Sequence, residues 1–271
     1  NCVFIFFLHL FNLTYNIRLK YNHNFSMKLN FYIILLLLLS FVAKADQILE
    51  LTKIPNLTLH KLENKNSLAY LKPKKDFFVG SGFKNVSCKK NISKNFNEKY
   101  LEAQKGFDSY NDDFFRKIKL KYIVLCSDLK IAEIPALGFA NPEMKTLILN
   151  INTNNSNFER VLHHEIFHII EHNFNKYFSN ISWNNLNSKE FKYSACSTCS
   201  NNYSLEKIYN SEGFISEYAK STISEDMAET FSFMMSDKNL ILDMIAKDEI
   251  LNKKVRIIKN IVKKLDVKHQ F

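Results

Sequence analysis

The sequence predicts an α+β fold: a small mixed sheet, then a helix bearing H-E-x-x-H, then a mostly helical C-terminal part. Three observations carry this. Short apolar runs bounded by polar residues, "LKYIVLCS" (120–127) and "KTLILNIN" (145–152), have the length and composition of strands. In "NFERVLHHEIFHIIEH", Phe158, Leu162, Ile166 and Ile169 recur at helical spacing. Helical spacing returns in Met227, Phe231, Met234 and Met235, and again in Val255, Ile258, Ile261, Val262 and Leu265. A content of 46% hydrophobic and 14% aromatic residues in 271 suffices for a buried core and excludes a disordered polymer.

Taken in chain order, residues 1–26 precede Met27 and read as an upstream extension outside the working protein. Met27-Lys28, the apolar run "FYIILLLLLSFV" and Ala43-Lys44-Ala45 compose a secretory signal peptide over 27–45, so the protein is expected to be secreted or periplasmic. A single membrane anchor is the alternative. The run from Phe31 to Val42 is short against the roughly 20 residues a spanning helix needs, and no stable membrane insertion is expected after cleavage. Residues 46–271 show no internal repeat and no linker, and read as a single domain.

Four of the 37 Lys and Arg, and none of the 27 Asp and Glu, lie before Asp46, so the remainder carries only a modest basic excess. Its lysines are scattered among Asn and Ser, and those of "NKKVRIIKNIVKKL" stand opposite the apolar stripe. That is the pattern of a solvated amphipathic helix, and no nucleic-acid partner is expected. No residue pattern sets an oligomeric state.

Beyond the leader the cysteines are Cys88, Cys126, Cys196 and Cys199. An even number after export points to two disulfides. Four cysteines allow three connectivities, of which Cys88 with Cys126 and Cys196 with Cys199 is preferred. Cys196-Ser-Thr-Cys199 as half of a zinc site is the alternative, but no second C-x-x-C accompanies it. Residues 46–92 read as short strands and loops, and 94–118 as a helical stretch with Phe96, Tyr100, Ala103, Phe107, Tyr110 and Phe114 inward.

The chemistry concentrates at His164, Glu165 and His168. Spacing i, i+4 puts both imidazoles on one helix face, apart from the core stripe, where they can share a metal with Glu165 as a base. Ser156-Asn157-Phe158-Glu159 reads as the capping box that starts this helix. A purely structural helix can satisfy one histidine, but two with a glutamate cost free energy unless something binds them. A catalytic zinc needs a third ligand. His172 lies about 12 Å along the helix from His164, with no glycine to turn the chain between, and is expected at the surface. His163 is expected to face away. Downstream, Glu225 and Glu229 share one edge of a second helix, although Thr222-Ile223-Ser224-Glu225 is equally a capping box.

His164-Glu165-Ile166-Phe167-His168 followed by Glu225-Asp226-Met227-Ala228-Glu229 resembles the gluzincin zinc metallopeptidases. "EYAKSTISEDMAETF" is most similar to the catalytic domain of anthrax lethal factor and related bacterial secreted zinc metallopeptidases, with Tyr218, Glu225 and Glu229 at the matching offsets. The resemblance implies a zincin-like fold and one zinc per chain held by His164, His168 and Glu225. It further implies Glu165 as general base, Tyr218 as transition-state donor and Glu229 as partner of a ligand histidine. The implied activity is hydrolysis of a protein or peptide substrate. Phe167 departs from the family, where Gly is common, and residues 46 to about 120 carry no resemblance. Two other readings are an exported binding or interaction protein on a catalytically degenerate zincin fold, and a metal hydrolase acting on another bond. The strand at 145–152 is where an extended peptide is expected to add.

Overall fold

One long strand organises the sheet. The computed structural model describes residues 57–59, 67–79, 85–90, 95–198 and 208–265. The chain divides into two units, Asn1–Lys53 and Ile54–Phe271, and every described residue lies in the second. The expected extension and signal peptide, 1–26 and 27–45, therefore fall outside the described residues.

The strands are β1 (Leu57–Leu59), β2 (Ala69–Pro73), β3 (Phe77–Val79), β4 (Val86–Lys89), β5 (Tyr122–Ile131), β6 (Ile134–Pro135), β7 (Gly138–Asn141) and β8 (Thr146–Asn150). The first half of β5 pairs in parallel with β2 and with β8. With β1 antiparallel on β2 and β7 antiparallel on β8, this half belongs to a run ordered β1-β2-β5-β8-β7. The second half pairs antiparallel with β4 and β6, and β3 lies beyond β4. Ile123, Val124, Leu125 and Cys126 are all buried, as a strand with parallel neighbours on both sides requires. A disulfide joins Cys88 of β4 to Cys126 of β5.

The segment 145–152 is a strand, but not the edge expected of it: β8 is flanked by β5 and β7. The turn at Pro142–Lys145, closed by Lys145 N–H on the Pro142 carbonyl at 3.1 Å, folds β7 back along β8. Among the described residues, β7 is the edge at this end of the run, as β1 is at the other.

The helical stretch expected over 94–118 is broken into α1 (Asn95–Phe107) and α2 (Phe114–Lys117). Asp108, Ser109, Asn111, Asp112 and Asp113 form turns in preference to helix, and they interrupt the periodicity. The aromatic residues still meet, Phe107 against Phe115 with ring centres 5.0 Å apart and Tyr110 stacked on Phe114 at 4.6 Å.

The helix α3 (Asn155–Asn173) carries the histidines. Its cap is Asn154, whose side-chain oxygen accepts the Asn157 N–H at 3.1 Å, not the expected Ser156. Asn is at least as good a cap as Ser, and it comes first. Where an amphipathic helix was expected, α3 is buried almost all round: Leu162, Ile166, Phe167 and Ile169 are fully buried, and Arg160, His163, His164 and Glu165 nearly so. Each buried apolar side chain there contributes about 1.5–3 kcal/mol, but the polar ones need partners.

Those partners arrive from the C-terminal part. It comprises α4 (Asn180–Asn184), the hairpin β9 (Ile208–Ser211) and β10 (Phe214–Ser216), a 3-10 turn at Tyr218–Lys220, α5 (Ile223–Ser236), α6 (Lys238–Lys247) and α7 (Glu249–Lys264). The last three helices are capped by Thr222, Asp237 and Asp248. Phe167, where a glycine is common in the resembling family, sits between the rings of Phe178 and Phe231 at 5.4 and 5.5 Å, so α3 and α5 meet through a ring. Lys254 of α7 is fully buried, contrary to the solvated lysine face expected.

Candidate metal centre

Three donor atoms from α3 and α5 converge. His164 Nε2 lies 2.9 Å from Glu225 Oε2 and 3.1 Å from His168 Nε2, and His168 Nε2 lies 3.4 Å from Glu225 Oε2. A tetrahedral zinc with bonds of about 2.0–2.2 Å sets its ligand atoms roughly 3.3–3.6 Å apart, so the triangle is slightly tight but of the right size. His164, His168 and Glu225 are the one set of metal-capable side chains gathered in this way among the described residues. The set is chemically apt for zinc: two imidazoles and one carboxylate.

Each imidazole is held from its far nitrogen. His164 Nδ1 meets Glu229 Oε1 at 2.9 Å. Beyond it, Glu229 Oε2 accepts from Arg160 at 3.1 Å and from the Ser216 hydroxyl at 2.6 Å. His168 Nδ1 faces Ser224 Oγ at 3.3 Å and Glu171 Oε2 at 3.7 Å. Ser224 itself donates to Glu171. Such bonds fix the tautomer that turns the Nε2 lone pair toward the shared point. Burial opposes the charged form of His164, yet the bonds to Glu225 and Glu229 outweigh it and hold its pKa at about 9. His168 is also raised, burial again being outweighed, here mainly by Glu225. The surroundings thus favour positive charge where the three donors meet.

Thr222 Oγ1 accepts the Glu225 N–H at 3.2 Å, as the capping reading requires. The Glu225 carboxylate points to the histidines as well, so the capping and ligand readings coexist in one residue. Although burial opposes its ionisation, His168 and His164 keep that carboxyl well below the usual range.

Glu165 lies on the side of α3 that meets the sheet edge. Burial raises its pKa, against the lowering effect of His164 and His168, and the Ala140 backbone N–H donates to it. Gly138 makes this approach possible: a Cβ on that residue would lie 2.6 Å from Glu165 Cγ and 2.7 Å from Oε1. Leu137 directs its carbonyl inward to Asn150 N–H at 2.9 Å. Backbone groups alternate along an antiparallel strand, so Gly138 and Ala140 direct theirs to the free edge, beside Glu165.

The Tyr218 ring centre lies 6.0 Å from that of His164. Its phenol is hydrogen-bonded to Ser197, and burial first, then the charges of Glu225 and Glu165, raise its pKa. His163 turns away from the cluster, its Nδ1 2.7 Å from the Tyr110 hydroxyl, and His172 is exposed. Cys196 is disulfide-bonded, and its expected partner Cys199 lies outside the described residues.

Arg160, Glu171, Ser216, Ser224 and Gly138 had not been singled out from the sequence. Only Arg160 left a usable trace, since it continues the series 160, 164, 168 along one face of α3.

A crystal structure of "a putative zinc-binding metallo-peptidase" from Bacteroides caccae matches with 19% identity over 64% of this chain and 71% of that one, at a TM-score of 0.42. No curated protein matches. Residues 86–271 match the family described as "Putative zinc-binding metallo-peptidase", and with more than half its length inside that match the chain belongs to this family.

Proposed function

We propose that the protein is an exported zinc-dependent peptidase with one zinc per chain, held by His164, His168 and Glu225 in a zincin-like arrangement. The observation that carries this is the convergence of those three donor atoms within hydrogen-bonding reach of one another, with Glu165 on the same helix turned to an open strand edge. Zinc at that point supplies a Lewis acid for the scissile carbonyl and acidifies water.

The residues divide the remaining work. Glu165, its carboxyl raised by burial toward the range of a working base, takes the proton of the attacking water and returns it to the leaving amine. Tyr218 stays protonated because burial disfavours the phenolate, so its hydroxyl donates to the developing oxyanion. Glu229 orients His164, while Ser224 and Glu171 orient His168. An extended peptide adds antiparallel to β7 through the outward N–H and carbonyl of Gly138 and the carbonyl of Ala140, whose N–H is held by Glu165, bringing its backbone to that carboxylate. The closer likeness to lethal factor rests on the Tyr218, Glu225 and Glu229 offsets. Export accords with the disulfide between Cys88 and Cys126.

The test is zinc content and cleavage of an unbiased peptide library by wild type and Glu165→Gln. Glu165→Gln is expected to keep its zinc and lose about 10²–10⁴-fold in turnover. Wild-type cleavage by that variant would exclude Glu165 as the base, and a wild type that binds zinc yet cleaves nothing would exclude the peptidase.

A further inference from the structure

One side chain of the C-terminal helix is joined both to α5, which carries Glu225, and to the β9–β10 hairpin. Lys254 of α7 is fully buried and donates to Asp226 Oδ2 at 2.7 Å and to the Gly213 carbonyl at 2.8 Å. Its ammonium also stands over the rings of Phe214 at 3.9 Å and Trp183 at 5.6 Å. Asp226 directly follows Glu225 on α5, and it accepts from Trp183 Nε1 at 2.8 Å and the Tyr193 hydroxyl at 2.6 Å.

Gly213 forms the turn of the β9–β10 hairpin, and α7 grips it from both sides. Its carbonyl is held by Lys254, and its N–H by Asp248 Oδ2 at 2.7 Å, while Asp248 Oδ1 caps α7. Its φ of +87° and a would-be Cβ running into Ile250 leave no room for another residue. The hairpin leads straight to Ser216, which donates to Glu229 and accepts the Ala219 N–H at 3.1 Å, and then to Tyr218.

We infer that Lys254 is a positioning residue of the metal centre: from α7 it sets the hairpin bearing Ser216 against the helix bearing Glu225 and Glu229. The chain of contacts is short. Lys254 fixes the Gly213 turn, the turn fixes Ser216, Ser216 fixes Glu229, and Glu229 orients His164. This rests on the reading of His164, His168 and Glu225 as zinc ligands, and is independent of what is hydrolysed.

A buried charge also stabilises the fold, so its removal must be made neutral. Lys254→Met together with Asp226→Asn removes both charges, and the new side-chain amide keeps an oxygen for Trp183 and Tyr193. Asp248→Ser keeps a cap for α7 but cannot reach the Gly213 N–H, and although it takes a charge from the surroundings of Lys254 it acts on the turn with both members of the buried pair in place. The measurement is zinc affinity by competition with a chromophoric chelator, in full-length protein whose melting shows that it is folded.

Each variant is expected to bind zinc about 10-fold more weakly, the scale of an outer-shell loss. In a Ser216→Ala background the further loss should be under about 2-fold, because the route is already cut. Unchanged affinity in a folded variant overturns the inference, and so does a loss that adds in full to that of Ser216→Ala. Should Lys254→Met/Asp226→Asn fail to fold, Asp248→Ser decides alone. Zinc bound as described with no peptide cleaved would remove the peptidase and leave the positioning role in place.

Discussion

Glu225 and Asp226 are adjacent on α5, yet they sit in polar clusters of opposite kinds. Around Asp226 every donor is aimed at one acceptor: Lys254, Trp183 and Tyr193 all reach Oδ2. The cation and the anion are both fully buried and cancel. Around Glu225 the logic reverses, since two imidazole nitrogens and a carboxylate oxygen, all bearing lone pairs when deprotonated, crowd one point. The first cluster balances its own charge at Oδ2, although Oδ1 is buried there without a hydrogen-bond partner; the second gathers donors that could hold a cation. What distinguishes a binding centre from a structural pair is therefore the direction of the lone pairs, not the amount of buried charge.

Removing one member from each cluster breaks this contrast most directly. Glu225→Ala takes away a ligand, so the protein should emerge from gel filtration without stoichiometric zinc while remaining folded. Full zinc occupancy in that variant would remove Glu225 from the ligand set. Lys254→Met alone should behave oppositely, destabilising the fold by about 3–5 kcal/mol because it strands a buried carboxylate. Denaturant unfolding measures that loss. Trp183, the chain's single tryptophan, gives a local signal through its indole N–H, which should shift in Lys254→Met. An unmoved indole resonance with unchanged stability would show the pair to be dispensable.

The difference also explains what the sequence revealed. His164, Glu165 and His168 were legible because their geometry is local: a spacing of four residues on a helix fixes a shared face whatever the rest of the chain does. Glu225 and Glu229 needed the joint match with the histidine motif, since acids near a helix start have an ordinary explanation, and Thr222 does cap Glu225. Arg160, Ser216 and Glu171 earn their places only once α3, β10 and α5 have met. Asp226 was hidden as a first-turn acid, and Lys254 as one lysine in a basic helix, though 251, 254/255 and 258 trace the buried stripe. The strands at 120–127 and 145–152 were readable from composition. Their order was not, because whether β7 or β8 lies at the edge depends on the turn between them.

Finer variants sharpen the comparison inside the metal cluster. Tyr218→Phe deletes a hydroxyl that touches no proposed ligand, so zinc should stay and turnover should fall by about 10²–10³ with KM little changed. Steady-state kinetics on a cleaved library peptide decide it, and wild-type turnover would return Tyr218 to a packing role. Glu229→Gln keeps the shape but weakens the hold on His164. Its zinc affinity or activity should drop roughly 10- to 100-fold without loss of fold, and an unchanged chelator titration and rate would make Glu229 a structural acid.

Gly138 shows how far the reach of such a site extends. It has no side chain and offers no acid, base or ligand, yet even one methyl group there collides with Glu165. A scan of substitutions at position 138 would therefore report on Glu165, although the residue that is changed takes no part in the chemistry. Graded bulk at that position, from Ala to Val, would act as a mechanical dial on Glu165 that leaves all of the chemical groups in place.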